Sequence, residues 1–279
     1  MNNLKLGFSS CPNDTFIFEA LVNNRLGSSL IVDPVIMDVE ALNRLAENAH
    51  LEVSKMSFAA YPAVSANYQI LSSGSALGRG CGPLIVSKEP IDMSNLTSME
   101  IAIPGKNTTA NLLLSIFFPQ LTLKTEVLFS EIEDKVLSGE FPLGLIIHES
   151  RFTYAEKGLH KVADLGELWE QRYGLPIPLG CIAVKRNMPE AKKAEIQSLV
   201  RQSVEWAFRH PEDSVEYVGK YALEMSREVQ KMHIGLYVNN FSLDLGEEGK
   251  QAIRMMFKLG HDSGFFPEAM EPIFINDLV

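Results

Sequence analysis

Short apolar runs alternate along this chain with segments whose apolar residues return every three to four positions, and that alternation limits the fold more than any other feature. Runs at 4–9, 30–37, 51–57, 68–71, 83–87, 99–103, 126–129, 143–147 and 180–185 read as strands, and helices are expected between them at 15–23, 39–48, 109–118 and 130–138. Strand and helix in alternation give an α/β architecture with mostly parallel sheets and right-handed crossovers. The last third changes character. Segments 190–210, 211–224, 226–238 and 246–264 are expected to be helical, the first carrying the stripe Ile196, Leu199, Val200, Ser203, Trp206 and Ala207. His210-Pro211 closes one helix and opens the next, because the residue before proline resists the α conformation.

A chain of 279 residues exceeds one typical domain and fits two lobes. No Gly/Ser-rich linker separates them, so the chain is expected to cross between lobes as ordinary strands. The segments 82–88 and 180–186 form the best pair, each starting at glycine, running apolar and ending on a basic residue. Two crossings make lobe one discontinuous, 1–87 and 186–279, with 88–185 inserted as lobe two. This is the hinge arrangement of proteins that close on a ligand.

A net charge of −10 argues against nucleic acid and anionic membrane as partners, since both need a basic footprint. A small-molecule anion would have to be captured by local donors against that field, and oligomeric state is not legible. Cys11, Cys81 and Cys181 are odd in number and far apart, which argues against a disulfide framework and a cysteine-rich zinc site. The remaining histidines show no ligand spacing, so no metal is expected. The opening residues lack the pattern of an export signal, and no apolar stretch is long enough to span a bilayer. A cytoplasmic location is therefore expected.

Four segments could carry chemistry. His148 ends the run Leu143-Gly144-Leu145-Ile146-Ile147, at the carboxyl end of a strand, where open α/β sheets bind ligands. Its side chain exchanges a proton near neutrality, although a histidine that merely bonds a loop reads the same way. Ser9-Ser10-Cys11-Pro12-Asn13-Asp14-Thr15 follows the first strand, dense in capping residues; Asn13 and Asp14 either cap a helix or line a cleft. Cys11 as a nucleophile is the weaker idea, with no base nearby in sequence. Gly105-Lys106-Asn107-Thr108-Thr109-Ala110 joins strand to helix and offers an anion cradle of hydroxyl and N–H donors, or a simple cap. Lys55-Met56-Ser57 ends a strand in lobe one and could face that cradle, with a core Met56 and a solvated Lys55 as the alternative. The glycines of 74–82 miss dinucleotide spacing and read as a flexible loop. His148-Glu149 is not a zinc-protease helix, since Phe152 stands where a second histidine is needed.

Together Gly7-Phe8-Ser9-Ser10-Cys11-Pro12-Asn13-Asp14-Thr15-Phe16, residues 104–110, the segment from Leu145 through His148-Glu149-Ser150-Arg151 to Tyr154, and Pro176-Ile177-Pro178-Leu179-Gly180 closely resemble the 1,4-dihydroxy-6-naphthoate synthase family of the futalosine route to menaquinone. The resemblance covers nearly the whole chain and is most specific around His148. It implies the two-lobed type II periplasmic-binding-protein fold. It implies a lyase that converts cyclic dehypoxanthinylfutalosine to 1,4-dihydroxy-6-naphthoate and dihydroxyacetone without a metal or redox cofactor. Carried over residue by residue, it implies His148 as general base and substrate contacts at Lys55, Met56, Ser57, Thr109 and Ala110, beside Thr108. Ser10 departs from the family, where proline is common. Two other occupants of the fold remain as rivals, a solute-binding protein and a chorismate dehydratase.

Overall fold

The computed structural model describes residues 3–222 and 225–275. The ends of the expected helix 211–224 and of lobe one, at 1–2, 223–224 and 276–279, lie outside the described residues.

Among the described residues eleven strands form two mixed sheets. The first runs β2 (Val32–Ile36), β1 (Leu4–Phe8), β3 (Val53–Ser57), β11 (Ile177–Lys185) and β4 (Tyr68–Ile70), with β5 (Ala76–Gly78) also paired to β11. The second runs β10 (His160–Asp164), β6 (Leu84–Ser87), β9 (Leu143–Ile146), β7 (Ile101–Ile103) and β8 (Lys124–Glu126). One pattern is used twice. In each sheet a central strand pairs in parallel on both sides, β1 with β2 and β3, and β7 with β8 and β9. An antiparallel strand then follows, β11 in the first sheet and β6 in the second.

The sheets are thus less parallel than the alternation suggests, and the reason is topological. Each antiparallel strand is the first one laid down after the chain changes sheet. It enters its sheet from the other lobe instead of through a helical crossover, and so runs the opposite way. Sheet membership also bears on the lobe limits. Residues 84–87, expected at the end of lobe one, pair in the second sheet, and 177–185, expected in lobe two, pair wholly in the first. Strands belong where their ladder hydrogen bonds lie, so we place the crossings just before each of them.

The helices fall close to the expected positions, because each carries its own end signal. Pro12 opens Pro12–Val22, the Asp38 carboxylate caps Val39–Glu47 and the Thr108 hydroxyl caps Thr109–Phe117. The segment 74–82, read as a loop, instead supplies β5. A helix at Leu165–Tyr173 has no counterpart in the sequence reading. The terminal helices pack on both faces of the first sheet, with Glu190–Arg209 against Pro12–Val22. Cys11, Cys81 and Cys181 are all free and buried. Among the described residues no helix is long and apolar enough to cross a membrane.

Candidate active site

The carboxyl ends of β1, β3 and β9 and the start of the helix Thr109–Phe117 converge on one cleft. Its walls include Asn13, Asp14, Lys55, Ser57, Thr108, Thr109, Ala110 and His148. These segments lie up to 135 residues apart, and the fold brings them together, as strand ends and helix starts in such sheets do.

Lys55 and Ser57 reach the cleft because β3 alternates its side chains. Met56, between them, points the opposite way into the core and is fully buried. The Met56 side chain, expected at the ligand, therefore does not line the cleft. Lys55 is itself buried. Its Nζ donates to Asp14 Oδ1 at 2.6 Å, and Asp14 further accepts from Asn13 Nδ2 at 2.8 Å, Ser9 Oγ at 2.7 Å and Ser9 N at 3.1 Å. A buried pair of charges is tolerable only when the leftover hydrogen-bonding capacity is met in this way. Asn13 and Asp14 therefore serve the cleft by holding Lys55 in place. Gly180 leaves room for the lysine stem: a Cβ there would lie 2.8 Å from Lys55 Cε and 3.1 Å from Met56 O, so a side chain at that position would displace Lys55.

The cradle is built differently from the sequence expectation. The Thr108 hydroxyl donates to Gly105 O at 2.8 Å and accepts from Asn111 N at 3.2 Å. The Thr109 hydroxyl donates to Leu179 O at 2.7 Å and accepts from Ala59 N at 3.3 Å. Both hydroxyls are thus committed within the protein. What the helix start offers an anion is its first-turn backbone N–H groups at Thr109 and Ala110, with the helix dipole behind them. Ser57 Oγ accepts from Asn43 Nδ2 at 3.1 Å, which leaves its own proton for a ligand.

His148 stands two residues past β9 with φ 58°, in the left-handed region that non-glycine residues rarely occupy. Such strain persists where surrounding contacts hold it, and it clusters at functional positions. Here the ring is held edge-on by Phe129 at 5.1 Å and stacked over His233 at 6.1 Å, and its Nδ1 lies 3.4 Å from Cys11 Sγ. Burial lowers its pKa from 6.5 to about 4 against the opposing pull of Asp14, so the ring is neutral near pH 7. A neutral imidazole opposite an ammonium and a helix start can take a proton from a bound anion.

Sequence reasoning missed several neighbours. Tyr237 lines the cleft from the terminal helices, and its apolar spacing gave no reason to single it out. His233 was left as ordinary, yet it is fully buried under His148 with both ring nitrogens unpartnered. Cys11 seemed to lack a base, which lies 137 positions away as His148. The sulfur is nonetheless no nucleophile, because burial pushes its thiol far above the usual range. Arg151 donates to Gly82 O at 2.9 Å and Asp164 Oδ2 at 2.6 Å, tying the short helix after His148 to the crossing between sheets.

Three comparisons bear on what this cleft is for. A family defined by menaquinone biosynthesis matches residues 4–262. The chain is similar to the 1,4-dihydroxy-6-naphthoate synthase of Thermus thermophilus, with 46% identity over 99% of this chain and 100% of that one. It is similar to the enzyme of the same name from Streptomyces coelicolor, with 41% identity over 95% of each. Among solved structures, the periplasmic aliphatic sulphonate-binding protein of Escherichia coli superposes with a TM-score of 0.68 at 13% identity, covering 97% of this chain and 90% of that one. At that identity the likeness extends to the fold alone.

Proposed function

Because the chain belongs to the menaquinone-biosynthesis family of 1,4-dihydroxy-6-naphthoate synthases, an enzyme family built on the two-lobed type II binding-protein fold, we propose that it is a carbon–carbon lyase. On this reading it converts cyclic dehypoxanthinylfutalosine to 1,4-dihydroxy-6-naphthoate and dihydroxyacetone, with His148 as general base. The observation that carries it is the neutral, strained His148 at one wall of a cleft whose other walls are Lys55, Ser57 and the start of the helix Thr109–Phe117.

The substrate carboxylate is held by Lys55 and by the N–H groups of Thr109 and Ala110, with the Ser57 hydroxyl as a further donor. Fixed there, the molecule presents an acidic C–H to His148. Removal of that proton beside a carbonyl and cleavage of a carbon–carbon bond leave an aromatic ring, so aromatisation drives the step. The base contributes roughly 10²–10⁴ in rate. The same donors stabilise negative charge that develops on oxygen as the bond breaks.

The test is direct. Purified protein incubated with cyclic dehypoxanthinylfutalosine should develop naphthoate absorbance and release dihydroxyacetone in equal amounts. Chorismate serves as control substrate. Dehydration of chorismate with no action on the futalosine derivative would overturn the reading, and so would tight binding of either compound without turnover.

A further inference from the structure

We propose that Ser150 and Arg151 are positioning residues for His148: each fixes the short helix after the histidine to a buried carboxylate, and together they hold the strained turn that presents the ring to the cleft. The inference deepens the reading above and rests on His148 as the base.

β9 ends at Ile146 and the next helix begins at Ser150, so the chain passes from strand to helix within three residues. His148, with φ 58°, is the one that makes so sharp a turn possible. Reactive side chains of other α/β enzymes stand on strained strand-to-helix elbows of this kind. A left-handed backbone persists only where neighbouring contacts hold it. The contacts of the ring itself are weak ones: an aromatic edge, a distant stack and a sulfur at 3.4 Å.

The bonds made just after it are strong. The Ser150 hydroxyl donates to Glu133 Oε2 at 2.8 Å, while Arg151 donates to Asp164 Oδ2 at 2.6 Å and to Gly82 O at 2.9 Å. Direction is not in question, because Glu133 also faces the Lys157 ammonium at 2.7 Å and so accepts from both. Ser150, Glu133 and Asp164 are buried, and hydrogen bonds to an ionised group are roughly twice as strong as neutral ones. Both carboxylates are anchored in turn. Glu133 lies on the helix Ile132–Leu137, which packs tightly on β9 because a Cβ at Gly144 would come within 2.7 Å of Ile132 and Val136. Asp164 caps the helix Leu165–Tyr173 with its other oxygen, accepting from Gly166 N at 3.0 Å and Glu167 N at 3.1 Å. Gly82 lies at the crossing where the chain enters the second sheet, so the turn is fixed to the hinge as well as to its own lobe. Ser150 and Arg151 do not line the cleft; they act through the backbone of His148.

Titration of the His148 ring by NMR in ¹⁵N-histidine-labelled protein, assigned by comparison with H148N, tests this together with kcat and KM for the cyclic futalosine derivative. In the unaltered protein the ring should titrate at about 4, because burial and Lys55 outweigh Asp14 and Asp38. In S150A and R151A it should titrate about one pH unit higher or more, since a relaxed turn admits water, with amide shifts outside the turn unchanged. In both, kcat should fall about tenfold or more while KM stays within about twofold. E133Q, whose amide oxygen still accepts from Ser150, should keep most of the parent's values. R151K can meet Asp164 or Gly82 but not both and should fall between R151A and the parent, so the test stands even where R151A does not fold. Alanine variants that match the parent in titration and turnover overturn the proposal, and so does a titration that moves only together with shifts throughout the chain. The titration needs no substrate. Moved titrations in a protein inert to that compound leave the positioning role standing and remove the naphthoate reading, while normal turnover in both alanine variants removes the role alone.

Discussion

At His148 burial outweighs every charge nearby: desolvation takes the pKa to about 4, although Asp14 and Asp38 both raise it. Two consequences follow, and both have a sign. An ordinary imidazole base would lose activity as pH falls through about 6.5. Here kcat/KM, which reports the free enzyme, should stay flat from pH 7 down to about pH 5 and drop only below that. A pH–rate profile with an acid limb centred near 6.5 would contradict it. For stability, the unfolded chain takes up a proton at His148 below about pH 6.5 that the native state refuses until about 4. His233, also driven down by burial, adds to the same imbalance. Stability contributed by these rings is therefore full above pH 6.5 and is lost as pH falls through that window, which chemical denaturation at pH 7 and 5 would register. Replacing the ring tests the chemistry. His148→Asn should keep ligand affinity and lower kcat by at least about 10²-fold, the range for a missing general base. Near-normal turnover would remove His148 from the mechanism.

The strap before the helix Thr109–Phe117 shows why an element can be legible in sequence and its working parts not. Gly105 has φ 152°, and a Cβ there would lie 2.7 Å from the Glu40 side chain, which the loop packs against. Gly105→Ala should therefore destabilise the protein by about 1–3 kcal/mol and weaken ligand binding by displacing the helix start. Unchanged melting temperature and affinity would show that the loop adapts freely. The sequence marks this turn clearly, because glycine and two threonines between an apolar strand and an apolar helix have few other uses. It also placed β6, β7 and β9, each a buried apolar run, and β1 and β3, buried apart from Lys5. What escaped was polar or short. In β10 the residues His160 and Lys161 are exposed, so it carries no apolar signal, and β8 is the polar Lys124-Thr125-Glu126, so the strand expected at 126–129 lies just before its apolar run. The candidate site divides along the same line. Lys55, Ser57, Asn13, Asp14, Thr108, Thr109, Ala110 and His148 sit at strand ends and helix starts that local pattern locates. Which threonine protons are already spent, and that Met56 faces the core, depends on partners far away in sequence.

Those distant partners matter most for the molecule as a whole, because several of them join the two lobes across the cleft. Thr109, on the second sheet's side, donates to Leu179 O in β11 at 2.7 Å and accepts from Ala59 N of the first lobe at 3.3 Å. At the mouth, Arg44 pairs with Glu126 at 2.8 Å, and Asn43 donates weakly to Asn107 O at 3.4 Å. The two kinds of link differ in worth. Arg44 is mostly exposed, so its ion pair is screened by solvent and contributes little. Removing the Thr109 hydroxyl takes the acceptor from Ala59 N and leaves Leu179 O with only its bond from Phe58 N at 3.3 Å, at a cost of about 1–3 kcal/mol. Thr109→Val should therefore open the ligand-free protein, seen as a larger radius of gyration in solution scattering, and weaken naphthoate binding about 5-fold or more in calorimetry. Arg44→Ala should change affinity by no more than about 5-fold and leave the scattering profile nearly unaltered. If Thr109→Val kept its affinity while Arg44→Ala lost it, closure would be governed at the rim by charge rather than inside by the buried hydroxyl. The side chain that the sequence suggested as a donor to the ligand acts, in this account, on the ligand only by holding the halves of its container together.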